Sequence, residues 1–496
     1  MSWKETAEPV LTRMPTVARP EGHVPFKRKL LWTAGILVMY FFLTNVTLYG
    51  LQTTTQGGDF YGQFRSILAG ASGSILQLGI GPIVTASIVL QLLGGADLLG
   101  LDTENDPRDQ VLYQGLQKLL VVVMVVLTGA PMVFASPLLN ADPQVVQQLG
   151  IGTRGVEGII FAQIAVGGIL LLFMDEIVSK WGVGSGVGLF IIAGVSQRLV
   201  GGLFSWSGLT PTSSDGFVAV WIGILTGSAE LPGSPLTSDG LSAIFLGQGM
   251  ILAMITTVLI FVVVVYAESV RVEIPLSHAR VKGARGKFPV KLIYASVLPM
   301  ILVRALQANL QFLGQILHSQ WNGMPTWLGD YGEQGQVTEG LFWYLKPIQS
   351  PEEWMWFVGA TVTADWWQVL LRIGVDLTFM IVGGAIFAIF WVETTGMGPE
   401  ATAQQIQNSG MQIPGFRRNP QVIEKVMERY IPQVTVIGGA LVGLLAVMAN
   451  MLGTIGQVSG TGLLLTVSIT YKLYEEIAEE QLMEMHPMMR QMFGGE

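Results

Sequence analysis

The sequence predicts an all-α polytopic membrane protein with ten transmembrane helices. Half of its 496 residues are hydrophobic and only 12% are charged, whereas about a quarter of the residues in a soluble domain are charged. Ten stretches are long and apolar enough to cross a bilayer, which takes roughly 20 mostly apolar residues. Basic residues are concentrated in alternate connecting segments, as expected for cytoplasmic loops. These observations argue against a chain of soluble domains.

The composition also restricts the chemistry. The chain has no cysteine, so disulfides, thiolate metal sites and a cysteine nucleophile are excluded. Its four histidines are far apart in sequence, which makes a histidine metal cluster improbable, and we expect neither a metal nor another cofactor. The net charge of −8 argues against general nucleic-acid binding but leaves room for a local basic patch.

The ten apolar stretches follow a polar, proline-punctuated segment, 1–29, which has no apolar core and does not resemble a cleavable signal peptide. We therefore expect the first apolar stretch to remain as a span. The predicted spans are Leu30–Tyr49, Leu76–Leu93, Leu116–Phe134, Gly158–Met174, Gly184–Leu203, Gly247–Tyr266, Leu292–Ile316, Val369–Trp391, Val434–Met451 and Gly460–Leu473.

The distribution of lysine and arginine predicts the orientation. Segments 1–29 and 271–291 carry six basic residues each, and 417–429 carries four, whereas 199–270 carries none. Ten spans with a cytoplasmic N-terminus place all three basic clusters inside and both termini in the cytoplasm. We therefore expect a multi-pass protein of the cell membrane.

Five spans on each side of a long connection predict two halves of opposite orientation, which is the arrangement of an inverted repeat. The halves are 30–204 and 246–473, separated by an external loop at 205–245. The second half contains cytoplasmic loops at about 271–291 and 393–430. We expect the last part, 474–496, to be a cytoplasmic tail.

Two glycine-rich regions interrupt the regular pattern. The segment 64–77, FRSILAGASGSILQ, is too polar for a good span, and Gly81-Pro82 follows it. A short re-entrant helix before a true span and a kinked span with a polar end both fit this pattern equally well. The glycines that open the fifth and tenth spans fit close helix packing better than a nucleotide-binding motif; they are Gly182, Gly184, Gly186, Gly188, Gly460 and Gly462.

Three ionisable residues fall within apolar stretches, where such residues are costly and often functional. Arg372 and Asp376 are four residues apart, so we expect them to pair on one helix face. Arg304 has no such local partner, so it requires a pore, water or a distant carboxylate.

The two cytoplasmic loops are both basic. The loop 271–291 combines β-prone residues with Gly283 and Gly286 near its middle, which predicts a projecting hairpin with a basic tip. The second loop contains a polar helical stretch followed by Arg417-Arg418. Such loops suit an RNA-containing or acidic partner, although topology signalling alone would also account for them.

Five long runs together resemble the SecY family, the central subunit of the protein-conducting translocation channel, in its archaeal form. They occur in the family's order along nearly the whole chain, and the external loops around 205–245 and 319–366 resemble the family least. The runs are LGIGPIVTASIVLQLL, DEIVSKWGVGSGVGLFIIAGVSQ, RVEIPLSHARVKGARGKFPVK, FWVETTGMGPE and SGTGLLLTVSITY.

The resemblance implies an hourglass pore between the two halves, with a ring of aliphatic side chains at its waist. A narrow hydrophobic constriction excludes water and ions because wetting it is unfavourable. The positions that match the ring are all aliphatic here: Ile80, Val84, Val187, Ile191, Ile301 and Leu465.

The resemblance also implies a plug, a short helix that closes the pore from outside. We expect Arg304, three residues after Ile301, to lie on the outer side of the ring near this plug. The matching plug residues are Phe64, Arg65, Ser66, Ile67, Leu68, Ala69, Gly70, Ala71, Ser72, Gly73, Ser74, Ile75 and Leu76.

A lateral gate, through which signal sequences pass into lipid, is implied between spans two and three on one side and seven and eight on the other. The matching polar cluster is Thr85, Thr128 and Asn309. The family more often has Gln or Glu at the position of Thr128, so we expect a weaker polar lock. One polar contact in a membrane contributes only about 0.6–2 kcal/mol.

The resemblance further implies partners: small membrane subunits of the SecE and beta types, a translating ribosome, and signal sequences of nascent secretory or membrane proteins, all within a lipid bilayer. The residues that match the ribosome-docking surface are Arg280, Lys282, Arg285, Lys287, Arg417 and Arg418.

The alternative function is that of a ten-span secondary transporter of a small solute, which would also have inverted halves and a broken helix. It predicts ion-coupling carboxylates at the bilayer midplane, whereas Asp376 is the one clear intramembrane carboxylate of the sequence. A membrane-embedded hydrolase would need a zinc motif, a nucleophile elbow or an aspartate pair, and the sequence contains none. We therefore expect a protein that is not an enzyme.

Overall fold

The structure is a computed structural model, and nearly all of its regular structure is α-helical. It describes residues 3–22, 24–52, 70–71, 73–95, 99–101, 106–134, 139, 141–206, 216–227, 238–247, 250–278, 285–291, 298–320, 324–332, 337–358, 364–395, 397–408, 411–412 and 420–485.

Each of the ten predicted spans contains a helix, and shorter helices lie between them. The helices up to the first cytoplasmic loop are α1 Trp3–Leu11, α2 Phe26–Thr44, α3 Gly81–Gly95, α4 Pro107–Phe134, α5 Pro143–Leu149, α6 Gly152–Trp181, α7 Gly186–Phe204, α8 Phe217–Thr226, α9 Ser238–Phe245 and α10 Ile251–Ser269. The later helices are α11 Leu298–Gln320, α12 Leu341–Leu345, α13 Trp366–Thr394, α14 Pro399–Asn408, α15 Pro420–Leu452 and α16 Gly460–Met485.

Seven described helices are long and apolar enough to cross a membrane, namely α4, α6, α7, α10, α11, α13 and α15. The other three predicted spans are also helical. Of these, α3 has only 15 residues, and α2 and α16 carry charged residues at one end. Helices suit this composition because every backbone polar group in a bilayer must find its partner within the protein.

Two helices begin later than predicted because glycines form turns before them. The second span was expected from Leu76, but α3 begins at Gly81, so Pro82 lies in its first turn, where a missing N–H costs nothing. The fifth span was expected from Gly184, but Gly184 has φ +75° and α7 begins at Gly186. Gly182 and Gly184 therefore belong to a turn and not to a smooth helix face.

The two strands of the predicted hairpin are confirmed, whereas its tip, 279–284, lies outside the described residues. Strands β1, Arg271–His278, and β2, Arg285–Lys291, pair antiparallel, with Arg271 opposite Lys291. A short strand from the second predicted cytoplasmic loop, β3, Met411–Gln412, adds to the other edge of β1. The backbone thus joins the two predicted loops in one sheet.

The segment after α11, which is predicted to be external, packs around a small core of its own. Residues Asp330–Tyr331 and Val337–Glu339 pair antiparallel, and Tyr331, Val337 and Phe342 pack together. The neighbouring α12 is bonded to α11, because the side chains of Gln307 and Gln311 donate to the backbone oxygens of Leu345 and Phe342, each at 2.9 Å. We call this segment, 324–358, the external cap.

The last helix continues past the predicted end of its span into the expected tail. Glu475 on α16 accepts hydrogen bonds from Arg271, at 2.8 Å, and from Lys291. Glu480 pairs with Lys29 at the start of α2. The described part of the tail is therefore a helix that ties the base of the hairpin to the N-terminal segment.

Candidate functional site

The six predicted ring residues lie at the ends or in the first turns of four helices. Ile80 and Val84 flank the start of α3, Val187 and Ile191 lie in the first two turns of α7, and Ile301 lies in the first turn of α11. Leu465 lies early in α16. All six belong to, or pack against, one hydrophobic cluster, and Ile80, Ile191 and Leu465 are fully buried.

Three of the ring residues border a common cavity. Val84, Val187 and Ile301, each from a different helix, line a space of about 280 Å³. The lining of this cavity is mixed in polarity. Its polar lining residues are Ser87, Gln91, Tyr113, Gln117, Asp175 and Ser185.

The helix carrying Leu465 is held tightly against its predecessor. A Cβ at Gly460 would lie 2.3 Å from the backbone carbon of Ala449, so only glycine allows this approach. The side chain of Asn450 bonds the first turn of α16 twice. Its oxygen accepts from the N–H of Thr461 at 3.0 Å, and its amide donates to the Thr461 hydroxyl at 3.1 Å.

Two of the three predicted gate residues meet. The Asn309 amide of α11 donates to the Thr85 hydroxyl of α3 at a long 3.4 Å, and Thr85 itself donates to the backbone oxygen of Gly81. The described hydrogen bond of Thr128 is made within its own helix, to the oxygen of Met124 at 2.6 Å. The geometry thus gives one weak polar contact between α3 and α11.

The expected pair of Arg372 and Asp376 is wrong. Arg372 turns toward the external cap, where it bonds Glu353 at 2.5 Å and the backbone oxygens of Lys346 and Pro347 at 3.1 Å. Sequence spacing favoured the local pair, but the cap offers this guanidinium more acceptors. Burial lowers the pKa of Lys346, and the Glu353 carboxylate opposes that shift.

Arg304 pairs instead with Asp376, the distant carboxylate that its isolation required. The guanidinium is 1% exposed and lies 3.5 Å from the Asp376 oxygen. It also donates to Gln307 at 2.6 Å and to Thr461 at 3.2 Å. These contacts join α11, α13 and α16. Most of the plug lies outside the described residues, so the placement of Arg304 near the plug stays a prediction.

Only the end of the predicted plug lies within the described residues. Gly73, Ser74, Ile75 and Leu76 form turns and a bridge to Thr47 rather than a helix. Backbone bonds hold this end to the residues after α2, because Leu48 donates to Gly73 and Ile75 donates to Val46. Gly70 and Ala71 are also not helical. The outer plug residues 64–69 and Ser72 lie outside the described residues.

Two of the six predicted docking residues lie within the described part of the chain. The backbone of Arg285 and Lys287 belongs to β2. The other four, Arg280, Lys282, Arg417 and Arg418, lie outside the described residues. The sheet of β1, β2 and β3 nevertheless brings the backbones of the two loops that carry them together.

Two residues that shape this region were not predicted from the sequence. Asp175 bonds the backbone of the ring residue Val187, and Asn450 bonds the start of α16. Both act across a helix junction, so their roles depend on which helices are neighbours. Asp175 lies in a run that the resemblance already included, but the pattern drew attention to its glycines.

Comparison with known proteins identifies the class and then the family. A family model described as SecY matches residues 74–474, and one described as the plug domain of Sec61p matches residues 38–73. A protein translocase subunit SecY from Haloferax volcanii is 79% identical, with all of both chains covered.

Solved structures agree with this class. One, described as "The structure of a protein conducting channel", has a TM-score of 0.77 and 37% identity, covering 97% of this chain and 98% of the other. Another, described as "Sec61 in the Canine ribosome-channel complex from the endoplasmic reticulum", has a TM-score of 0.75 with the same identity and coverage. These are subunits of protein-conducting channels, which are multi-pass membrane proteins and not enzymes. The chain belongs to the SecY family.

The buried pair of Arg304 and Asp376 gives a stability prediction. Replacing Asp376→Leu leaves a buried guanidinium without its carboxylate and should lower the free energy of unfolding by about 3–5 kcal/mol. The double variant Arg304→Met, Asp376→Leu removes both charges and should recover much of that loss. Thermal unfolding of the purified protein in detergent measures both.

The control for this pair is Arg154→Leu. Arg154 is 83% exposed in its side chain and lies 3.9 Å from Glu157, so its loss should cost less than about 1 kcal/mol. If Asp376→Leu unfolds at the same temperature as Arg154→Leu, the buried pair does not stabilise the packing of α11, α13 and α16.

Proposed function

We propose that this chain forms the central pore of a protein translocase, sealed by its aliphatic ring and opened toward lipid at the contact between α3 and α11. The observation that carries the proposal is the convergence of Val84, Val187 and Ile301, from three helices, on one cavity wall. Membership of the SecY family supports the protein-conducting function.

The chemistry of the ring suits a channel for unfolded chains. Aliphatic side chains make a constriction that excludes water, so the resting pore is closed to ions. They offer a passing peptide no specific hydrogen bonds, so segments of any sequence can slide through. The same cavity also has polar lining residues, which a hydrated peptide could contact.

The family membership favours the channel over the secondary transporter. The intramembrane carboxylate Asp376 is bonded to Arg304 and Gln307 within the helix body. A coupling carboxylate would need to exchange ions or protons with a solute site. The structural pair gives Asp376 a different role.

The topology proposal has ten spans in two inverted halves, 30–204 and 246–473. The basic residues of 1–29, 271–291 and 417–429 then lie in the cytoplasm with both termini. The membrane is the cell membrane. The segment 205–245 and the external cap face outward on this arrangement.

The gate proposal rests on the packing of α3. This helix contacts both α11 and α13, while Asn309 and Thr85 provide a polar contact across the junction. Separation of α3 and α4 from α11 and α13 would open a path from the ring to lipid for a signal sequence. The small SecE-type and beta-type subunits would hold the halves together.

We propose that residues 64–76 are the plug and close the pore on the outer side of the ring. The turn Gly73–Leu76 would act as the anchored end, since backbone bonds tie it to Val46 and Leu48 after α2, and Gly167 of α6 approaches Ile75 closely. The match of residues 38–73 to a model of the plug domain supports a plug in this part of the chain.

The ring assignment predicts where a translocating chain is found. A photoreactive side chain at Ile301 should crosslink to a secretory precursor on a stalled ribosome, in the chain reconstituted with its small partners. The crosslink should vanish when the precursor lacks a signal sequence. Leu306, on the same helix, is the matched control. It is 37% exposed on the surface of the protein and should react mainly with lipid.

Precursor crosslinks that are missing at Ile301, Val84 and Leu465, while ribosomes still bind, would exclude this pore. Equal crosslinking of the precursor at Leu306 and Ile301 would also argue against a ring that encloses the chain.

The docking proposal concerns the basic residues of the two loops. A relative of similar fold is described in a ribosome-channel complex, and we propose that Arg280, Lys282, Arg285, Lys287, Arg417 and Arg418 face the ribosome here. The charge-reversal variant Arg417→Glu, Arg418→Glu should weaken ribosome binding and reduce the slope of log K against log salt by about 1–2.

Sedimentation of ribosomes with reconstituted channels at several salt concentrations measures this slope. Arg154→Glu, on the proposed external side, is the control and should bind as the parent does. A charge-reversed loop that binds with the parental affinity and slope would show that the ribosome docks elsewhere.

A further inference from the structure

The junction between α6 and α7 has an unusual helix start. Gly182–Ser185 form a turn, and α7 begins at Gly186 with Ser185 as its N-cap residue. A serine at this position usually bonds a free N–H of the first turn with its own side chain. Ser185 makes no such bond.

The missing cap is supplied by another helix. An oxygen of the Asp175 carboxylate, on α6, accepts a hydrogen bond from the backbone N–H of Val187 at 2.8 Å. Val187 is the second residue of α7, which is the N–H that an N-cap side chain would bond. A carboxylate is also favoured there by the partial positive charge of the helix N-terminus.

The backbone geometry fixes this contact. A Cβ at Gly186 would lie 2.5 Å from the Asp175 carboxylate oxygen and 2.6 Å from its Cα. Real Cβ atoms do not approach so closely, so glycine at 186 is what allows α6 and α7 to meet here. The close approach sets how far α7 lies along α6.

The carboxylate next to Asp175 in the sequence has other partners. Glu176 accepts from Lys118 and Lys180 at 2.6–2.9 Å, so that carboxylate is neutralised by the two lysines. The described hydrogen bond of Asp175 goes to Val187. Asp175 also lines the cavity that Val84, Val187 and Ile301 border.

We propose that Asp175 is a positioning residue for the pore ring. By capping α7 from α6, it holds Val187, and Ile191 one turn further on, at the depth of the constriction. The inference rests on the proposed ring, because it assigns Asp175 to the seal through the backbone of a ring residue. Loss of the acceptor would free the first turn of α7 and loosen one side of the seal.

Ion leak through the resting channel tests this role. The whole complex with its small partners is reconstituted into planar bilayers without a precursor, and conductance is measured. Asp175→Leu removes the acceptor. Loss of an N-cap should make the frayed first turn of α7 roughly two- to thirtyfold more populated, and the leak should rise by the same factor. Asp175→Asn keeps an oxygen that can accept the same N–H and should seal nearly as the parent does.

Gly186→Ala provides an independent variant in case Asp175→Leu does not fold. It keeps the carboxylate but pushes it away from Val187, and it should also leak. A seal that is kept in Asp175→Asn shows that the ring requires an acceptor for the Val187 N–H. If the charge itself were required, Asp175→Asn would leak as Asp175→Leu does, and the positioning role would be wrong.

Ring variants separate this inference from the pore assignment. Ile191→Ser and Ile301→Ser should leak if the ring is the seal. If they leak while Asp175→Leu and Gly186→Ala seal as tightly as the parent, Asp175 does not position the ring. If the ring variants also stay sealed, the ring assignment itself is wrong, and the role of Asp175 falls with it.

Discussion

The hydrocarbon region of a bilayer contains no water to bond an exposed N–H or C=O, and the architecture of this protein depends on that constraint. A pore needs helices that begin and end at membrane depth, and each such end exposes backbone groups. In the described structure, side chains from neighbouring helices bond two such helix starts. Asp175 accepts from the N–H of Val187, and Asn450 accepts from the N–H of Thr461. Gln307 and Gln311 of α11 likewise donate to the backbone oxygens of Leu345 and Phe342 in the external cap.

These contacts divide the molecule into firm and weak junctions. The charged pair of Arg304 and Asp376, with the hydroxyl of Thr461, joins α11, α13 and α16 in the buried interior. The junction between α3 and α11 has the long contact of Asn309 with Thr85, where a neutral hydrogen bond contributes only about 0.6–2 kcal/mol. An opening force should therefore separate α3 from α11 before it disrupts the contacts among α11, α13 and α16. A lateral gate requires this order of events.

Local patterns in the sequence predicted much of this fold. Apolar runs located the ten helical regions, and turn residues between β-prone stretches predicted the hairpin of β1 and β2. The aliphatic ring followed from family resemblance, and three of its members border one cavity. The partners of Arg372 and Asp376 could not be predicted, because the spacing of four suggests a local pair, whereas their actual partners come from the cap and α11. Asp175 was missed for a similar reason, since its partner is known only when α6 and α7 are packed together.

The most direct test of the central claim is a reversible lock between α3 and α11. The chain has no cysteine, so Thr85→Cys with Asn309→Cys creates a single possible disulfide where the side chains already meet. Release of a signal sequence into lipid is then measured with the reconstituted channel under oxidising and reducing conditions, with each single variant as a control. Oxidation should stop release, and reduction should restore it. Release at the parental rate through a channel whose disulfide is shown to be complete would contradict a gate at this junction.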